Sequence, residues 1–149
     1  MREIKFRVWS QTHKRMGTIV NMSFENGKPV NVYAKYDLTG EEKLLKSVFN
    51  PKEIHVPMQY TGIKDKNGKE IYEGDIIKGK FNEMNDDFKC SFGVVKWIPH
   101  AAMYWVYDLK EDNFVTFEDI HCNEEIMTVE KYTVSIVGNI YENPELLQD

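Results

Sequence analysis

The chain has 149 residues, 42% of them hydrophobic, with 8 Tyr, 8 Phe, 3 Trp and a formal net charge of −5. That is enough apolar surface for a packed core in one domain, or one domain with a small lobe, and it excludes disorder as the default. No run approaches the roughly 20 apolar residues of a membrane-crossing helix, and the opening MREIKFRVWS lacks the apolar stretch of a secretory signal.

The first segment alternates, with Ile4, Phe6 and Val8 on one side and Lys5, Arg7 and Trp9 on the other, the period of a half-buried strand. Residues 18–24 alternate in the same way. Glu25-Asn26-Gly27-Lys28 then reads as a hairpin turn, with Pro29 to Tyr33 as the return strand. Thr39 followed by Glu42 matches a helix capping box, and Leu44, Leu45, Val48 and Phe49 follow at helical spacing before Asn50-Pro51. This pattern predicts one short helix near 40–49, which must dock on a sheet to be stable.

Pro51 to Pro57 is the predicted boundary, giving an N-terminal hairpin-and-helix lobe over 1–56 and a β domain over 57–149. The alternative is one integrated domain with residues 1–9 paired into the sheet. Strands are expected at 58–63, 70–72, 75–81, 89–98, 103–109, 113–117 and 127–138, with polar loops at 82–87 and 110–113. Asn67-Gly68 sits between apolar runs, and both residues tolerate φ > 0, so a type I′ hairpin turn is expected there, with Asp65 stiffening the approach. A calcium loop built on Gly68 would need carboxylates where Ile63 and Gly74 stand, so the turn reading holds. Gly74 permits a redirection into Ile76-Ile77, and Gly93 suggests a bulge or bend. Asn143-Pro144 reads as an N-cap and first position of a final helical turn. Short strands at this spacing predict a mostly β fold with minor α, arranged as a compact barrel or roll.

Three blocks of the chain carry a family likeness. They are Arg2-Glu3-Ile4-Lys5-Phe6-Arg7-Val8-Trp9, the stretch Gln59 to Ile77 (QYTGIKDKNGKEIYEGDII), and Val137 to Leu147 (VGNIYENPELL). On them the chain resembles the YopX family of phage and prophage proteins. The second and third blocks are long and specific. In the first, Ser10 stands where the family often has an acidic residue, and residues 81–130 match little. The resemblance implies a phage-encoded protein with an SH3-like β-barrel core and a smaller additional portion. It implies no activity and transfers no catalytic or binding residue.

The residues themselves offer little reactive chemistry. His13, His55, His100 and His121 are scattered, and Cys90 and Cys122 have no metal-ligand spacing, so neither a metal site nor a cofactor is expected. The two cysteines fit free thiols in a reducing cytoplasm, the expected location, since a Cys90–Cys122 bridge would need an oxidising one. No catalytic motif occurs, so an enzyme is not expected. The strongest binding candidates are Trp97, Tyr104, Trp105 and Tyr107. On a strand, Met103, Trp105 and Tyr107 share one face, and Tyr104 and Val106 the other. One set then belongs to the core, and the other is exposed or covered by the second lobe; core packing with an intramolecular or subunit contact is the favoured reading over a peptide grip or stacking on bases.

Charge separates the remaining function classes. Residues 1–80 hold 15 Lys/Arg against 10 Asp/Glu, while residues 81–149 hold 4 against 14. The acidic half fits steering toward a basic protein partner, or inhibition of a host nucleic-acid-binding factor by imitation of phosphate charge. The split also fits head-to-tail assembly into a homo-oligomer, though the favoured reading is that each half is simply a solvated surface. The basic half (Arg2, Lys5, Arg7, Lys14, Arg15, Lys64, Lys66, Lys69) fits nucleic-acid contact, against which the pI of about 5.4 argues. A host or phage protein is the expected partner, through a non-enzymatic protein-binding module.

Overall fold

A computed structural model describes residues 3–26, 28–37, 42–48, 55–81, 89–109, 113–116 and 134–148. Among these residues the strands are β1 (Phe6–Ser10), β2 (Arg15–Glu25), β3 (Lys28–Asp37), β4 (Glu42–Val48), β5 (His55–Lys64), β6 (Glu70–Tyr72), β7 (Asp75–Phe81), β8 (Lys89–Ile98), β9 (Met103–Asp108), β10 (Asn113–Thr116) and β11 (Ser135–Asn139). They form two antiparallel sheets, ordered β4-β3-β2-β1-β5-β6 and β10-β9-β8-β7-β11. Neither order closes on itself among the described residues, so the fold is mostly β without a closed barrel ladder. The chain divides into a unit of Met1–Tyr60 and a unit of Thr61–Asp149, with β5 running through the division.

In the first unit β1 is central. Val8 lies opposite Gly17 of β2 on one side and Pro57 of β5 on the other. Its last three residues, Val8, Trp9 and Ser10, are all buried rather than alternating, so both faces of the strand are covered at that end. Val8, Val32, Ala34 and Tyr36 form the core, with Ile19 and Met22 packed on them. Gly17 is required by close approach, since a Cβ there would stand 2.5 Å from Tyr36 Cε1. Two register shifts interrupt the β2–β3 ladder, between Ile19 and Asn21 and between Ser23 and Phe24. They fall where Val20 and Phe24, 54% and 57% exposed, stand out to solvent.

The helix expected near 40–49 is not formed: residues 42–48 are strand β4, paired with β3 from Asn31↔Val48 to Asp37↔Glu42. Two turns of helix would be marginal alone, whereas the free edge of β3 offers a ladder bond for nearly every backbone group. Leu45 takes the register position opposite core Ala34, so its apolar character suits the strand as well as it suited a helix. Residues 39–41 of the capping motif, together with 49–51, lie outside the described residues.

The second unit is a meander, β7 to β10, with β11 returning antiparallel to β7. Its core comprises Ile71, Ile77, Val95, Tyr104, Val106 and Val134, with Ile63 and Ile136 packed against it. The bulge or bend suggested at Gly93 is not a bulge: the β7–β8 ladder runs in register through Ile77↔Gly93. The irregularity lies in β11, between Ile136 and Gly138. Residues 82–88 and 117–133, including Cys122 and most of the strand expected at 127–138, lie outside the described residues. The C-terminal turn forms as a 3-10 helix, Pro144–Leu147, with Pro144 in its first turn. Asn143 makes no side-chain cap there; its Oδ1 instead accepts from Asn139 N at 3.4 Å.

Candidate functional site

The aromatic segment is a hairpin of β8 and β9 around residues 99–102. Its register sets Trp97 opposite Tyr104, Lys96 opposite Trp105, Val94 opposite Tyr107 and Ile98 opposite Met103. Directly opposed residues of an antiparallel pair project to the same face. One face therefore carries Val95, Trp97, Tyr104 and Val106, and the other carries Val94, Lys96, Ile98, Met103, Trp105 and Tyr107. Tyr104 and Val106 belong to the core. Trp97 meets Tyr104 edge-on with ring centroids 5.0 Å apart, and is 39% exposed at the margin of that core.

The structure thus splits the four candidate aromatics into two pairs on opposite faces. Trp105 and Tyr107, both half-buried, stand with Met103, which is 44% exposed. Lys96 Nζ sits 4.2 Å above the Tyr107 ring, and His100 lies 6.3 Å from Trp105, edge-on. Farther along the same face Lys78 Nζ lies 5.3 Å over Phe92. Between these lysines Val94 and Ile76, which share a register row with Tyr107, are buried. The face is closed over its centre and open toward Met103 and Lys96.

A second constellation surrounds Asp65, buried in the β5–β6 hairpin. Its Oδ1 accepts from the backbone N–H of Asn67 at 2.8 Å and of Lys69 at 2.9 Å. Its Oδ2 accepts from Ile136 N in β11 at 3.1 Å and from Asn67 Nδ2 at 3.4 Å. Burial pushes this carboxyl upward in pKa, but the N–H groups of Lys69, Ile136 and Asn67 outweigh it and hold the group below its ordinary value. The type I′ turn is corrected here. Asp65 N–H donates to Lys69 C=O and Gly68 N–H to Asp65 C=O, which closes a three-residue loop. Within it only Gly68 has positive φ, at 81°. The capture of Asn67 N–H by the carboxylate holds Asn67 out of the left-handed region.

Neighbouring contacts continue the brace. Lys66 N–H donates to Val134 C=O at 3.0 Å, Gly74 N–H to Val95 C=O at 2.8 Å, and Ile140 N–H to Gly74 C=O at 3.0 Å. Asp75, also buried, accepts from Tyr72 N at 2.8 Å. Asn139 Oδ1 accepts from Tyr141 N and Glu142 N, and its Nδ2 donates to Glu142 Oε2 at 2.6 Å. Gly138 leaves room for Asn143, whose Oδ1 would stand 2.5 Å from a Cβ. Residues 65–74 are thereby tied to residues 134–140 by backbone bonds and by the buried Asp65 carboxylate, and these polar residues hold the fold. Asx-turn chemistry in Asp65-x-Asn67 signals the local part of this brace; the bond to Ile136 has no local signal.

Among the described residues no three His, Cys, Asp or Glu side chains converge, and no helix is long and apolar enough to cross a membrane. The model of the YopX protein family matches residues 5–148. Protein EF1440 from Enterococcus faecalis has a similar crystal structure over 99% of this chain and 100% of its own, at 25% identity and a TM-score of 0.63. Protein yopX from Bacillus subtilis is similar over 100% of this chain and 98% of its own, at 21% identity and a TM-score of 0.54, a likeness of fold alone. No curated protein matches the chain. A match that spans nearly every residue, on a fold shared end to end with these two proteins, makes this chain a member of the YopX family.

Proposed function

We propose that this chain is a non-enzymatic protein-interaction module, phage-encoded and acting in the host cytoplasm, whose contact surface is the open end of the β8–β9 face that carries Met103, Trp105 and Tyr107. The second unit is read as an SH3-like small-barrel scaffold for that surface. The observation that carries the reading is the grouping of exposed Met103 with half-buried Trp105 and Tyr107 under Lys96. Aromatic and Met side chains are enriched at the centres of protein interfaces. The polar residues of the other constellation are committed to backbone bonds, which leaves them a structural part. A photo-crosslinker placed at Met103, used in infected host cells, tests the proposal. One discrete protein adduct is expected, lost on Lys96→Glu with Trp105→Ala, and absent when the crosslinker is moved to Val20. Equal labelling from both positions overturns it.

Exposed Lys64, Lys66 and Lys69, three cations around one hairpin loop, favour a second reading as a nucleic-acid contact. Binding through them would weaken steeply with salt. Fluorescence anisotropy with single- and double-stranded DNA decides this: no binding at low salt removes it.

A further inference from the structure

Asn67-Gly68 is one of two Asn-Gly steps in the chain, the other being Asn26-Gly27. An Asn followed by Gly loses its amide because Gly offers no side chain to block ring closure. The Gly68 nitrogen, deprotonated by hydroxide, attacks Asn67 Cγ. The new C–N bond closes a succinimide, the Cγ–Nδ2 bond breaks, and Nδ2 leaves as ammonia. Water then opens the ring to isoaspartate or aspartate, so the net change is amide plus water to acid plus ammonia.

Each reacting atom is restrained in the folded protein. The Gly68 N–H donates to Asp65 C=O at 2.9 Å, which aims the nucleophile at that oxygen. Asn67 Nδ2 donates to Asp65 Oδ2 at 3.4 Å and Asn67 N–H to Asp65 Oδ1 at 2.8 Å, which fixes the carboxamide toward the carboxylate. The negative charge of Asp65 also opposes loss of the Gly68 proton. Yet Asn67 and Gly68 are exposed, and a Cβ built on Gly68 meets nothing within 4 Å. Water and hydroxide therefore reach the step, and hydrogen bonding rather than burial restrains it.

From this geometry we infer that Asn67 is a spontaneous deamidation site held shut by Asp65, whose reaction requires the loop to open. The modification is one-way. Either product sets a second carboxylate beside buried Asp65, and isoaspartate adds a methylene to the backbone between Asp65 and Lys69. With isoaspartate the loop cannot regain its bonds to both strands, and with either product the tie from Asp65 to Ile136 in β11 is weakened.

The test is peptide mass mapping of the full chain aged in mildly alkaline buffer, native and urea-unfolded, with Asn26 of the other Asn-Gly step as internal reference. In the unfolded chain both sites should convert at comparable rates. In the native chain Asn67 should fall behind its own unfolded rate by roughly tenfold or more, the factor that about 1.4 kcal/mol of loop opening produces. Asn26 should be slowed less. Asp65→Asn, shown to be folded by circular dichroism, should speed Asn67 several-fold and leave Asn26 unchanged. Conversion of native Asn67 at its unfolded rate overturns the inference, as does an unchanged Asn67 rate in folded Asp65→Asn. If that variant does not fold, the native-to-unfolded comparison decides alone.

Discussion

The β2–β3 and β5–β6 hairpins turn on the same Asn-Gly dipeptide, and they close differently. Glu25 pairs with Lys28 across two residues, with Asn26 at φ 51°. Asp65 pairs with Lys69 across three, with positive φ confined to Gly68. Two residues before Asn26 stands Phe24, whose side chain offers no hydrogen-bond acceptor; two residues before Asn67 stands Asp65, whose carboxylate takes the Asn67 N–H. A dipeptide thus proposes a turn, and the acceptor upstream selects its length and hand.

Removing that acceptor should be the most damaging way to break the contrast. Asp65→Ala strands the N–H groups of Asn67, Lys69 and Ile136 in a part-buried site, and we expect a loss of about 3 kcal/mol from the bonds to a charged acceptor. Urea denaturation reads this as a lowered midpoint, while Glu25→Ala in the other hairpin should stay within about 0.5 kcal/mol. The same carboxylate sets a pH dependence. Its folded pKa lies below the ordinary 3.8, so its stabilisation is complete above that value and is lost as pH falls through the lower folded pKa. Asp65→Asn should flatten the acid limb of the stability curve below about pH 4 and leave neutral slopes unchanged.

Gly68→Ala comes next. No atom lies within 4 Å of a Cβ built there, so the cost is conformational alone. Placing a side chain at φ 81° should cost about 1–2 kcal/mol. A neutral result would mean that the loop has relaxed to a two-residue form, and the Asp65 bonds would have to break with it.

Much of this fold is legible in the amino-acid sequence. Period-two alternation and Gly/Asn punctuation located most strands, because a strand with one buried face writes its register into the chain. β4 is ambiguous in sequence because Leu44, Leu45 and Val48 satisfy a helical stripe as well as a strand facing β3, and only the free edge of β3 decides between them. At the candidate surface, strand parity separated Tyr104 from Trp105 and Tyr107. The pairing of Trp97 with Tyr104 depends on the four-residue β8–β9 loop, where Ala102 adopts φ 50°, a feature without a sequence signature. The Asp65–Ile136 bond joins residues 71 apart, and nothing local predicts which distant strand supplies the donor.

The finest test exchanges the two asparagines for alanine. Asn26 occupies the left-handed region, where an ordinary side chain costs about 1 kcal/mol more than Asn or Gly. Asn67 does not, and truncating it removes one side-chain contact at 3.4 Å while its N–H still reaches Asp65. Asn26→Ala should therefore destabilise by about 1 kcal/mol and Asn67→Ala by less than about 0.5 kcal/mol, read from chemical denaturation of both variants in one buffer. A positional preference of the dipeptide itself would make the two losses equal. Equal losses would require Asn67 to carry positive φ, and the three-residue loop, with Asp65 as its organiser, would fall.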